Sequence, residues 1–184
     1  MTAVKDDWLT FYAITGANFV SRFIRGGEMG FPYSHVGCRL KDGRLISAHW
    51  QDGLCIRTEA DEGAWRRWAW IRIPVTTLER EDAEQWLIDQ VDLKRRYDLG
   101  AIAGMVARVF SATPGLSHWP TKWICSSAQV QACREIGVFP KVLPIPVSET
   151  TPRDFVMMLM GVPGAEYEIR KPERAAPPYW EFLA

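Results

Sequence analysis

Residues 33–49 constrain this chain more than any other stretch. From Ser34 to Leu40 the side chains alternate, with Ser34, Val36, Cys38 and Leu40 on one face and His35, Gly37 and Arg39 on the other. That period of two is what a strand requires. Asp42-Gly43 comes next, a strong signal for a tight hairpin turn. A second strand, about Arg44 to His49, is therefore expected to return antiparallel, and His49 can reach the face that carries His35.

Further elements follow the same logic. Gly53 opens a short strand through Cys55 and Arg57, and Trp68 to Val75 alternates as another. Phe19, Val20, Phe23 and Ile24 recur at helical spacing within residues 17–25, and Gly26, Gly27 and Gly30 end that helix in a loop. Thr76 and Glu79 form a capping-box pair ahead of a helical face of Ala83, Trp86, Leu87, Gln90 and Val91, carried to Arg96. Asp98 is placed to cap a helix whose stripe is Leu99, Ile102, Val106, Val109 and Phe110, broken at Pro114-Gly115. A third helix runs from Cys125 to Ile136, with Ala128, Ala132 and Ile136 inward, and stops at Gly137. Prolines 140, 144, 146 and 152 mark an extended return, then a short helix spans about Asp154 to Met160. The pattern predicts an α+β domain over residues 1–162. The proline-rich remainder, 163–184, reads as an arm laid on the surface or on an assembly partner.

Composition removes several classes of function. An apolar fraction of 47% and a charged fraction of 24% are those of a globular domain. Lys plus Arg and Asp plus Glu each number 22, so no net field draws nucleic acid. The first twenty residues lack a basic segment followed by an unbroken apolar run, which predicts neither a signal peptide nor a membrane span and implies cytoplasmic synthesis. Cys38, Cys55, Cys125 and Cys133 are then expected as thiols, and no Cys-x-x-Cys pair suggests a structural zinc.

A thiol attacks only as thiolate, and its free pKa of about 8.5 leaves little of that form at neutral pH. A helix N-terminus and an adjacent imidazole both lower it. Cys125 stands at a helix start, whereas Cys133 lies two turns deeper, Cys38 faces away from His35 and Cys55 is mid-strand. Three histidines could serve: His35 with space beside it at Gly37, His49 after the turn, and His118 in a loop nearer to Cys125 in sequence.

The segments Tyr33-Ser34-His35-Val36-Gly37 and Asp42-Gly43-Arg44-Leu45-Ile46-Ser47-Ala48 resemble the histidine hairpin of NlpC-type cell-wall peptidases. The order, histidine first and cysteine last, resembles the circularly permuted branch that includes relatives of lecithin retinol acyltransferase and bacterial and phage proteins. Phe11-Tyr12 with residues 18–25 is similar to that branch's opening strand and helix. Tyr97-Asp98-Leu99-Gly100, Trp123-Ile124-Cys125-Ser126-Ser127 and Thr151-Pro152-Arg153-Asp154-Phe155 resemble its later segments. The likeness spans roughly residues 8–160. It implies a papain-like fold, an antiparallel sheet packed against helices with the nucleophile at a helix N-terminus.

The resemblance also implies roles. Cys125 would be the nucleophile, His35 its base, and the Cys125 N–H with the Tyr97 hydroxyl the oxyanion donors. The residue orienting the histidine usually falls at Ser47, a poorer orienter than a histidine or carboxylate. His49 is the preferred candidate, with Ser47 behind it. Ser127 stands where the family often has glutamate. The expected activity is a cysteine hydrolase cleaving an amide bond through an acyl-enzyme, with peptidoglycan peptides a candidate substrate and no metal or cofactor. The alternatives are lipid acyl hydrolysis or transfer, and a non-catalytic virion or complex component retaining the fold.

Overall fold

A computed structural model describes residues 5–15, 31–49, 51–63, 68–94, 96–97, 122–143 and 145–170. Its centre is a six-stranded sheet of β1 (Asp7–Ile14), β2 (His35–Arg39), β3 (Leu45–His49), β4 (Gly53–Arg57), β5 (Trp68–Val75) and a late strand, Glu166–Arg170. The helices are α1 (Glu59–Glu62), α2 (Thr77–Asp92), α3 (Cys125–Glu135) and α4 (Pro152–Met160). Two short strands, β6 (Arg96–Tyr97) and β7 (Lys122–Trp123), pair in parallel, and the late strand is β8. The sheet order is β4-β3-β2-β1-β5-β8, with every pairing antiparallel. The protein is therefore α+β.

Alternation sorts the sheet into two faces. Phe11, Val36, Cys38, Ile46, Ala48 and Ile71 point to the side covered by α2, α3 and α4, where they join Ala83, Leu87, Ala128, Ala132, Phe155 and Leu159 in the main core. The opposite face carries a smaller buried cluster of Tyr12, Ile14, Leu45, Trp68 and Trp70. His35, Gly37, Ser47 and His49 lie on this second face. Tyr12 stands opposite Gly37 in the register, and an added Cβ on Gly37 would come within 2.5 Å of the Tyr12 ring and hydroxyl. Only glycine leaves room for that phenol.

The hairpin from β2 to β3 turns at Asp42-Gly43, with Gly43 at φ +90° and the Asp42 carboxylate accepting from the Arg44 N–H at 3.0 Å. Thr76 caps α2 with the reciprocal Glu79 contact that the sequence predicts. That helix ends at Asp92 instead of continuing to Arg96. Lys94 takes the left-handed φ of 50°, which turns the chain out of the helix and lets Arg96 enter β6. The last helix starts earlier than expected, because Thr151 caps it and Pro152 supplies the fixed φ of a first turn. Gly137, at φ +73°, follows α3.

One correction concerns the arm. Residues 166–170 are not part of a surface tail but pair with β5 from Trp68↔Arg170 to Arg72↔Glu166. Charged residues alternate there with Tyr167 and Ile169, which are 39% and 54% exposed, so this edge strand carries almost no apolar signal. The helices expected at 17–25 and after Asp98, the loop at Gly26 to Gly30, His118 and residues 171–184 lie outside the described residues. Among the described residues no helix is long and apolar enough to cross a membrane.

Candidate active site

The site is built from the ends of β2 and β3 and from α1. His35 opens β2, and continuing the β2–β3 register from Cys38↔Ile46 sets it opposite His49. Their ring centroids are 4.7 Å apart. His35 Nε2 lies 3.0 Å from the Ser47 hydroxyl, which is 2.9 Å from His49 Nε2. Sequence reasoning favoured His49 over Ser47 as the neighbour of His35. The structure sets Ser47 against His35 and His49 one link further on. Both share the face by alternation, but the His49 nitrogen is turned toward another partner.

That partner is Glu62, whose Oε1 lies 2.6 Å from His49 Nε2. Nothing in the sequence analysis pointed to it. Glu62 is 1% exposed and ends the four-residue helix α1. Thr58 caps this helix: its hydroxyl accepts from the Asp61 N–H, and the Asp61 carboxylate accepts from the Thr58 N–H at 2.8 Å. Gly63, at φ 94°, stops it. The spacing Thr58-x-x-Asp61 before Gly63 was the available signal. A helix of one turn has no apolar periodicity to reveal it.

Tyr12 closes the site from β1. Its ring is tilted against His35 at 6.3 Å between centroids, and it is fully buried. Burial pushes the phenol well above its usual range, the Glu62 charge pushes it further, and the neighbouring Ser47 hydroxyl pulls the other way. Cys125 also repels the phenolate form, so the thiol is within electrostatic reach of the ring that leans on His35.

Cys125 is the first residue of α3 and is 2% exposed. The Ser127 hydroxyl accepts from the Ile124 N–H at 3.0 Å and donates to the Ile124 carbonyl at 3.1 Å, which anchors the helix start. Ser126 donates to the Thr150 carbonyl at 2.5 Å, tying that start to the segment before α4. Further along, the Gln129 amide donates to the Ile46 carbonyl at 3.2 Å, and Cys133 lies close enough to Cys38 to act on it. Helix α3 thus lies over β2 and β3 on the main-core side of the sheet, with Cys125 at its start. The β6–β7 pairing sets the Tyr97 backbone beside Trp123, two residues before Cys125; the Tyr97 side chain lies outside the described residues.

The other three cysteines are poor thiolates. Burial pushes Cys38, Cys55 and Cys133 upward. All four are free thiols.

His35, His49 and Glu62 each offer a ligand-type atom, all within 4.8 Å of one another, a set whose chemistry would suit zinc. Ser47 stands at hydrogen-bond distance from both imidazoles, however, so the arrangement is a hydrogen-bonded chain, His35–Ser47–His49, with the Glu62 carboxylate in close ionic contact at its end. No family model matches the sequence, and a search of curated proteins finds no match.

Proposed function

We propose that this protein is a cysteine hydrolase of papain-like, circularly permuted NlpC type, with Cys125 as nucleophile and His35 as base. The observation that carries the reading is the commitment of His35 Nε2 to Ser47 at 3.0 Å. Nδ1 is then the nitrogen that serves the thiol, whose charge acts on the Tyr12 ring that leans on His35. A base held through one ring nitrogen and working through the other is the arrangement that thiol activation needs.

In this mechanism the Cys125 proton moves to His35 Nδ1 and the thiolate sulfur bonds to a carbonyl carbon. The tetrahedral oxyanion is met by the Cys125 N–H, which has no acceptor within the helix at its first position, with Tyr97 as the second donor. Collapse breaks the bond to the leaving amine, which takes the proton from His35. Water then attacks the acyl-enzyme, gives a proton to His35, and releases the acid as the thiol is restored. An amide in a peptide, with peptidoglycan as a candidate source, is the substrate class. Lipid acyl transfer uses the same steps with another acceptor.

A second reading, a fold-retaining component of a virion or other complex, is favoured by the 2% exposure of Cys125. Iodoacetamide rates from pH 5 to 10 separate the two. The hydrolase predicts that Cys125 alkylates with an apparent pKa well below about 8.5, that Cys125→Ala abolishes the modification, and that His35→Ala returns the profile to that of a free thiol. An ordinary thiol profile unchanged by His35→Ala would leave only the binding role.

A further inference from the structure

We infer that Glu62 is a positioning residue that fixes the proton arrangement of His35 through His49 and Ser47. This rests on the reading of Cys125 and His35 as nucleophile and base. A carboxylate at 1% exposure is costly to bury unless a partner compensates it. Tyr12 from β1, Cys55 and Arg57 from β4, and Asp61 on its own helix all act electrostatically with Glu62. Arg57 is itself paired with Asp52, and His49 from β3 is a basic group in direct contact, at 2.6 Å.

The negative charge of Glu62 beside Nε2 favours a hydrogen on that nitrogen, and that hydrogen points to the Ser47 oxygen, 2.9 Å away. With His49 as donor, the Ser47 oxygen acts as acceptor. Its second lone pair then receives the Nε2–H of His35. His35 is thereby held with its hydrogen on Nε2 and its lone pair on Nδ1, the form a base facing Cys125 requires.

Glu62→Gln keeps shape and hydrogen bonding but removes the charge. The Gln amide can donate to His49 Nε2, so that nitrogen no longer serves Ser47 as a donor. The Ser47 hydroxyl is then free to turn its hydrogen toward His35 Nε2, which moves the His35 hydrogen to the wrong nitrogen. The test combines imidazole nitrogen NMR with Cys125 alkylation, both on the full chain at pH 7, for wild type, Glu62→Gln and Glu62→Asp. Expected are loss of the Nε2-bound hydrogen at His49 and redistribution at His35 in Glu62→Gln, with iodoacetamide labelling slowed about tenfold or more. Glu62→Asp, which keeps the charge, should recover both signals and much of the rate.

Wild-type spectra and labelling in Glu62→Gln would overturn the inference. So would His35 and His49 signals that shift when the wild type is dialysed against EDTA, because the cluster would then hold a metal. Should Glu62→Gln fail to fold, His49→Gln breaks the same link and carries the same expectation for His35. If wild-type Cys125 labels as an ordinary thiol, the nucleophile reading falls. The spectra alone then decide whether Glu62 sets the His35 tautomer.

Discussion

Gly37 shows how one missing side chain shapes the site. The Tyr12 phenol occupies the space a Cβ would need, at 2.5 Å, and Tyr12 cannot retreat because it is fully buried against Trp68 and Trp70. Gly37→Ala should therefore destabilise the fold by about 1–3 kcal/mol through overpacking. In a chain of this size that lowers the Tm by several degrees, and thermal unfolding by circular dichroism would read it. Ser47 is a different kind of choice. A hydroxyl orients an imidazole weakly by itself, but this one sits in a chain anchored on a buried carboxylate. Ser47→Ala should lower the Tm by only about 2–4 °C, since one hydrogen bond is worth about 1 kcal/mol net, while slowing Cys125 alkylation at neutral pH. Unchanged labelling would remove Ser47 from the site.

Between elements, the contacts with most consequence join β1 to α2 and anchor the start of α3. Arg80, 4% exposed, donates from Nε to the Asp7 carboxylate at 2.6 Å and from Nη1 to Glu84 at 3.1 Å. The Arg80 hydrogen bond, with the Trp8 N–H, holds the Asp7 carboxyl below its usual value of 3.8. A carboxyl depressed in the folded state contributes stability that is complete above its unfolded pKa and is lost as pH falls through the folded one. Urea unfolding from pH 6 to pH 2.5 should thus show a loss in wild type below about pH 4 that is reduced in Asp7→Asn. At α3, Ser127→Ala should cost about 1 kcal/mol by freeing the Ile124 N–H, readable as a lower urea midpoint. Strands with strong alternation, and helices with a capping pair ahead of an apolar stripe, were legible in the sequence: β5 and the start of α2 fall where their residues predicted. The end of α2 was not, because a single left-handed Lys94 decides it. Nor was α1, whose single turn offers two polar caps and no periodic face. His35, Ser47 and His49 could be assigned to one face by counting residues. Which of them touch depends on side-chain torsions and on Glu62, which alternation does not encode.

Across the whole molecule, the last strand changes where the domain ends. A boundary after residue 162 would remove β8, the Arg72–Glu166 ion pair at 2.5 Å and the Arg170–Glu59 pair at 3.3 Å. It would also bare the edge of β5. A chain shortened to Val162 should therefore unfold at lower temperature than the full chain and self-associate, which light scattering alongside calorimetry would detect. The same strand reaches the site by a second route. Arg170 lies over Trp70 at 5.5 Å, with Arg39 over the same ring at 5.3 Å. Both guanidiniums reach Glu59, at the opposite end of α1 from Glu62. During synthesis on a ribosome, His35, His49, Glu62 and Cys125 all emerge before Arg170 is joined to the chain. The turn that carries the buried acid is thus tethered on its outer side first by Arg39 from β2 and only later by Arg170, once the other five strands of the sheet have been made.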